Sequence, residues 1–343
     1  MRLSVIVVTH NSREALVRTL PPLLDQTGPE DELVIVDNAS SDGTPEVVVA
    51  MAPEAKLIRS NVNEGFAAAC NLGAEAAGGD LLLLLNPDAQ PAEGFCQSIR
   101  TPLREGRGWA AWMGLVTAEG GSVINTSGGV VHFTGLGWAG QAGEPLAHAP
   151  AAPREVAFVS GACLAIRRET WSRHGGFDSG FFLYHEDVDL SLRLRLVGER
   201  LGLEPSARVD HDYEFAKGEL KWRLLERNRW ATLVRTYPGT LLALLAPALA
   251  ATEVALVPIS VAGGWGRQKL LATLDTVRAL PRLARERRAI QATRLISAGE
   301  FAAYLTADLS SSYLGRPAGS ALIRWVLRLY LRIVLALLRA PAR

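Results

Sequence analysis

Cysteine is scarce in this chain. Only Cys70, Cys96 and Cys163 occur in 343 residues, an odd number at spacings that match neither a zinc site nor a disulfide framework. A reducing compartment is therefore expected, with all three thiols acting as small buried hydrophobes. The N-terminus lacks the basic start, apolar stretch and cleavage site of a signal peptide, and Leu3–Val8 already reads as a strand, so secretion is not expected. Clean apolar runs of spanning length are missing too: Leu241–Ala262 is interrupted by Pro247, Glu253 and Pro258, which favours an interfacial or bundle helix over a spanning one. Internal repeats and low-complexity tracts are absent. Neither sign of charge dominates overall, the net charge being +1. That balance hides an asymmetry, because residues 263–343 hold fourteen Arg or Lys against four Asp or Glu, which leaves the rest about nine units acidic. The basic tail is apolar and carries no aromatic-and-basic pattern for reading bases. Anionic lipid, not nucleic acid, is the expected partner.

What is present suffices for a large core, since 48% of the residues are hydrophobic. In the first hundred residues short apolar runs (Leu3–Val8, Leu33–Val36, Lys56–Arg59, Leu81–Leu85) alternate with helical patterns. This arrangement predicts an α/β fold, a Rossmann-like, doubly wound and mostly parallel sheet. Ligands of such sheets sit at the carboxyl ends of the strands. The residues there are polar: Thr9 to Asn11, Asp37 and Asn38, Asn61 to Glu64, and Asn86 to Asp88. Residues 106–155, Gly-rich and Trp-bearing, predict loops and small strands that line an acceptor. FVSGACLAI from Phe158 predicts a strand, and helices are expected over about Glu186–Val197 and Leu220–Tyr237. Pro238-Gly239 then marks the boundary between a domain at 1–237 and a helical, basic C-terminal extension at 238–343. In that extension Arg324, Arg328 and Arg332 recur every four residues among Leu, Ile, Val, Trp325 and Tyr330, which predicts a helix over Ser320–Arg339 lying in the headgroup plane of a membrane.

Two features carry chemistry. Asp88, in LLLLLNPDAQP at the end of a buried strand, suits a hard divalent cation that keeps positions open for phosphate oxygens. Glu186, Asp187 and Asp189, three acids in four residues at a helix start, offer a general base for an acceptor hydroxyl.

The segments LSVIVVTHNS, VIVDNASSDGT, NEGFAAACNLG, LLLLLNPDAQP and GGFDSGFFLYHEDVDLSLRLRLVG, in this order, resemble the family 2 glycosyltransferases of GT-A fold, above all their rhamnosyltransferase-like branch. The resemblance covers about the first 200 residues and fades by about residue 237. It implies a nucleotide diphosphate sugar as donor, with Thr9, Asn11 and Asp37 around the nucleoside and Asn63 and Gly65 completing the pocket. Asn86-Pro87-Asp88 stands where the family has its metal-binding Asp-x-Asp motif; with Asn86 replacing the first acid, Asp88 carries most of the charge for Mn²⁺ or Mg²⁺. Asp187 matches the family's base, and Glu186 beside it would orient the acceptor or tune Asp187. His211 in RVDHDYEF, 24 positions beyond Asp187, matches a histidine that binds the metal in some relatives.

The resemblance thus implies inverting transfer from a dTDP- or UDP-sugar, rhamnose first, to a cell-envelope glycan or lipid-linked acceptor at the cytoplasmic face of the membrane. The attachment expected is peripheral, and homo-oligomer formation is left open. A nucleotidyltransferase should show a Gly-rich turn after the first strand, and THNSREAL has no glycine. A non-catalytic, membrane-attached sugar-nucleotide-binding protein should lack Asp187 or Asp88, and both are present. A processive synthase should carry several clear membrane spans and a Gln-x-x-Arg-Trp-type motif, of which Asn228-Arg229-Trp230 is only an echo.

Overall fold

A computed structural model describes residues 1–211, 218–309 and 320–339. The end of RVDHDYEF beyond His211 lies outside these residues. The chain opens on βα repeats: β1 (Leu3–Thr9), α1 (Arg13–Leu24), β2 (Glu32–Asn38), α2 (Thr44–Met51), β3 (Lys56–Ser60), α3 (Phe66–Ala76) and β4 (Leu81–Leu85). Parallel strands covered by helices on both faces have no wet side, so β1 (LSVIVVT) and β4 (LLLLL) are buried along their whole length without polar alternation. β3 closes one edge, and its exposed Lys56 and Arg59 discourage pairing with a further strand.

The next elements are β5 (Gln90–Pro91), α4 (Phe95–Ser98), α5 (Thr101–Arg104), β6 (Trp109–Ala118), β7 (Val123–Thr126), β8 (Gly129–Val131), β9 (Gly137–Ala139), β10 (Arg154–Glu155), β11 (Cys163–Arg167), α6 (Arg168–Arg173), α7 (Glu186–Leu196) and β12 (Arg200–Asp210). The main sheet runs β10-β12-β6-β11-β4-β1-β2-β3, with β5 on β12 and β7 on β6. Pairing is parallel across β4-β1-β2-β3 and between β6 and β12, and β11 lies antiparallel between β4 and β6.

Two sequence expectations need correction. Residues 106–155 are not only loops and small strands, because WAAWMGLVTA forms the ten-residue central strand β6, buried except at Ala118. Its small residues and absent alternation hide it, as burial on both faces removes the period-2 pattern. The strand expected from Phe158 begins only at Cys163. Before it the chain turns at Ser160-Gly161, where the Cys163 amide bonds the Ser160 carbonyl at 3.2 Å and the Gly161 amide is committed to Asp187.

The contacts divide the chain into two units: Met1–Gly129, Ala139–Ser191 and the stretch from Glu199 through β12 form one, and Val130–Trp138, Leu192–Gly198 and the C-terminal helices form the other. Those helices are α8 (Gly218–Thr236), α9 (Gly239–Ala262), α10 (Gly266–Ala292), α11 (Ala298–Ala302) and α12 (Ala321–Arg339). α9 continues through Pro247 and Pro258, and among the described residues it is the one helix long and apolar enough to cross a membrane. Its single charge is neutralised inside the unit. Lys269 Nζ donates to Glu253 Oε2 at 2.9 Å and to Glu226 Oε2 at 2.8 Å, Arg229 pairs with both glutamates, and Trp230 Nε1 donates to Glu253 at 3.2 Å. Two acids and two bases thus cancel where an unpaired one would be costly. α12 packs through Leu331 and Val334 and leaves Leu322, Trp325, Val326, Leu329, Ile333 and Leu337 exposed.

Candidate active site

The site is assembled at the carboxyl ends of β1, β2 and β4, at the start of α7 and just beyond β12. At the end of β1, Thr9 is fully buried and its Oγ1 donates to Asp37 Oδ1 at 3.1 Å across the parallel pair. Asp37 is 2% exposed; its other oxygen accepts from the Ser40 amide at 3.2 Å. Asn11 takes a left-handed backbone (φ 51°), as asparagine tolerates, and its Oδ1 accepts from the Ser41 amide at 2.9 Å. The loops after β1 and β2 are thereby tied together.

Asn38 ties in a third strand end. Its amide donates to Asn63 Oδ1 at 2.9 Å and to the Gly65 carbonyl at 3.2 Å, and its oxygen accepts from the Glu64 amide at 3.0 Å. Gly65 is obligatory twice over. Its φ is +87°, and a Cβ would lie 2.5 Å from the Phe182 carbonyl oxygen. That contact brings the loop before α7 against the start of α3, where the Ala67 amide also bonds the Phe182 carbonyl at 3.2 Å. Asn71, further along α3, fastens the same loop from the other end: its amide donates to the Phe177 carbonyl at 2.7 Å and its oxygen accepts from the Phe177 amide at 3.0 Å.

From the second fastening onward Phe182, Tyr184 and His185 all have positive φ, 65°, 70° and 67°. Three non-glycine residues in this region within four positions store strain. The loop delivers Glu186 and Asp187 to the first turn of α7. Asp187 Oδ2 accepts from the Gly161 amide at 3.0 Å and Oδ1 from the Val188 amide at 2.8 Å. Burial pushes the Asp187 carboxyl up, and those amide donors pull against it. Glu186, 4% exposed, is pushed well above the usual carboxylate range, first by burial and then by the Asp187 charge. Of the pair, Asp187 is therefore the member that ionises first. Asp189 is fully buried on the same turn.

At the end of β4 the Asn86 amide bonds the Ala162 carbonyl at 3.1 Å, which turns Pro87-Asp88 out of the sheet. Asp88 Oδ1 lies 3.0 Å from His211 Nε2, and the Asn86 side-chain amide lies 3.3 Å from the same nitrogen. One ring nitrogen cannot both donate to a carboxylate and accept from an amide. The two contacts are alternatives: Nε2–H donates to Asp88, or the bare Nε2 accepts from the Asn86 amide. His211 is held by its own backbone, donating to the Thr117 carbonyl at 2.8 Å and accepting at its carbonyl from Asn125 at 2.7 Å. Asp210 next to it fixes the β6–β7 turn, accepting from Thr117 Oγ1 and from the Gly121 amide, each at 2.9 Å. Among the described residues no three His, Cys, Asp or Glu side chains cluster as a metal site. The donors brought together beyond β4 are a carboxylate and an imidazole, which fits a divalent cation whose other positions belong to phosphate and water.

Sequence reasoning singled out Thr9, Asn11, Asp37, Asn63, Gly65, Asn86, Asp88, Glu186, Asp187 and His211. The structure puts the first five on one group of tied loops, Asn86, Asp88 and His211 together, and Glu186 with Asp187. It adds Asn38, Asn71, Gly161, Asn125 and Asp210, which hold the others. Asn38 and Asn71 lie inside motifs already quoted, so their side chains were visible even though their partners were not.

A mixed sheet with polar strand ends, an acid pair at a helix start and a carboxylate–imidazole pair are the groups that transfer from a phosphorylated donor to a hydroxyl would call on. The profile of "Glycosyl transferase family 2" matches residues 4–172, and that of "Glycosyl transferase family group 2" matches residues 141–335. The chain belongs to the family 2 glycosyltransferases and is a glycosyltransferase of their rhamnosyltransferase-like kind, with a nucleotide-sugar donor. It is 31% identical over 242 residues to the N-acetylglucosaminyl-diphospho-decaprenol L-rhamnosyltransferase of Mycobacterium tuberculosis, covering 63% of this chain and 78% of that protein. It is 34% identical over 80 residues to rhamnosyltransferase WbbL of Escherichia coli, 22% of this chain and 30% of that one. Among solved structures it resembles GalNAc-T7 with UDP, GalNAc and Mn²⁺, at TM-score 0.57 and 20% identity, covering 73% of this chain and about half (51%) of the other. That likeness establishes the GT-A fold.

Proposed function

We propose that the chain transfers a sugar from a dTDP- or UDP-sugar, rhamnose first, to a hydroxyl of a lipid-linked or cell-envelope glycan acceptor with inversion of configuration. The observation that carries this is Asp187: a partly buried carboxylate fixed by two backbone amides at a helix start, beside the buried Glu186. Asp187 takes the proton of the attacking hydroxyl, and the hydroxyl displaces the nucleotide diphosphate from the opposite face of the sugar in one step. Thr9, Asn11, Asp37, Asn63 and Gly65 shape the nucleoside pocket, with Asn38 tying their loops. Asp88 and His211 would hold Mn²⁺ or Mg²⁺, which when bound supplies positive charge for the departing diphosphate. Rhamnose and the lipid-linked acceptor are supported by the mycobacterial relative, whose name specifies both. The presence of Mn²⁺ beside UDP in GalNAc-T7 supports the cation.

Residues 1–237 form the catalytic part in this reading, and 238–343 attach it to the cytoplasmic face of an anionic membrane, with α12 lying in the headgroup plane. The test is a panel of nucleotide sugars with and without Mn²⁺, read by thermal stabilisation and by release of nucleotide diphosphate. D187N is expected to keep donor-induced stabilisation and to lose turnover by about 10³-fold or more. Near-normal turnover in D187N overturns the base assignment, and stabilisation by no dTDP- or UDP-sugar overturns the donor.

A further inference from the structure

By length and composition α9 reads as a membrane span, yet its surface is divided. Leu241, Leu245, Leu249 and Ser260 are buried and, at helical spacing, lie on one side together with Glu253. The opposite side carries Ala243, Pro247, Ala250, Ala251, Val254, Val257, Pro258 and Val261, all exposed, with Val254 73% and Val261 69% accessible. No charge interrupts this side along a helix of 24 residues, about 36 Å. Glu253 cannot turn outward, because Arg229 of α8 and Lys269 of α10 hold it. Those helices carry further ion pairs along their length, Arg223–Asp275 at 2.6 Å and Arg235–Glu286 at 3.1 Å, and do not enter hydrocarbon. A spanning α9 would drag them in.

α12 lies beside α9, Tyr330 Oη donating to the Leu244 carbonyl at 2.5 Å. It brings exposed apolar residues and the cations Arg324, Arg328 and Arg332; Arg328 is already paired with Asp308 at 2.6 Å. An uncharged apolar face flanked by arginines complements an anionic bilayer, whose apolar interior lies beneath phosphate.

We propose that α9 is a second in-plane membrane helix: its Ala243–Val261 face sinks to shallow depth in one leaflet of an anionic bilayer alongside α12, and it does not cross. This rests on the membrane reading above and extends it from one helix to two. All three native cysteines are buried, so single cysteines introduced at exposed sites can be labelled selectively. A243C, A250C and V257C in the full chain, carrying an environment-sensitive fluorophore, are mixed with vesicles of phosphatidylcholine containing about one third phosphatidylglycerol. Depth-dependent quenchers should report one shared shallow depth at all three. V254D/V257D, at exposed positions away from the catalytic residues, should need about tenfold more lipid for half-binding and keep the donor turnover of the wild type.

If wild-type chain does not bind these vesicles, the membrane reading itself fails. If it binds while V254D/V257D binds equally and the labels stay aqueous, only the α9 inference fails. A label deep at Ala250 and shallow at Ala243 and Val257 means a span and overturns the proposal. So does lipid-independent burial of the labels in a dimer that V254D/V257D dissolves.

Discussion

Glu186 offers a sharp test of how the acid pair works. In the folded chain its carboxyl is raised from an ordinary value of 4.5 by burial and by the Asp187 charge. The folded state therefore keeps a proton that the unfolded state releases above that value. Stability conferred by this group is present at low pH and falls as pH rises from the unfolded toward the folded value. For a full proton the slope is about 1.4 kcal/mol per pH unit, or about 2 °C of Tm per unit in a chain of this size. E186Q has no proton to release at this position, so its Tm should fall less steeply as pH rises above the ordinary carboxylate value and overtake that of the wild type on the alkaline side. Turnover should respond differently. The rise of Asp187 is due to burial, not to the Glu186 charge, so the acid limb of the pH–rate profile should stay in place and turnover should fall less than about tenfold. Differential scanning fluorimetry across pH and a pH–rate profile with the stabilising donor read both. Parallel melting slopes in the two proteins, together with an acid limb displaced in E186Q, would refute the reasoning, because Glu186 would then be the ionised member.

Three further outcomes are expected. D88N should abolish the Mn²⁺ enhancement of donor-induced stabilisation and lower turnover about 10–100-fold or more, measured by metal titration. G65A places a Cβ against the Phe182 carbonyl at a glycine-only backbone angle, so urea denaturation should show a loss of about 2–4 kcal/mol and turnover should fall with it. E253A leaves Arg229 and Lys269 sharing Glu226 as their one ion-pair partner among the described residues; a loss of about 3 kcal/mol in urea denaturation is expected, with donor affinity in the remaining folded protein unchanged.

The part of the fold that could be read from residues was the part with an unambiguous period. β1, β2 and β4 are solid apolar runs followed by polar punctuation, and a sheet buried on both faces leaves that mark. β6 left none, since alanine, glycine and tryptophan in WAAWMGLVTA neither alternate nor form a uniform aliphatic run. The candidate site divides in the same way. Asp37, Asp88 and Asp187 stand at the ends or beginnings of recognisable elements. The residues that hold them act across distance: Asn38 reaches Asn63, Gly161 reaches Asp187 and Asn125 reaches the His211 carbonyl, 86 positions on. No local pattern encodes such pairings, because they arise only when the strands are laid side by side.

The pair of hydrogen bonds between Asn71 and Phe177 spans 106 positions and joins the segment NEGFAAACNLG to GGFDSGFFLYHED. Two stretches that look like independent signatures are therefore one mechanical part. Gly176 belongs to it, since a Cβ there would meet Asn71 Oδ1 at 2.5 Å. A fragment cut after α6 would keep every residue proposed for the nucleoside pocket yet lose the clasp on α3, and with it the loop that presses on Gly65. Donor pocket and base are thus expected to be gained or lost together, and a change tolerated at Asn71 should require an answering change at positions 176–177.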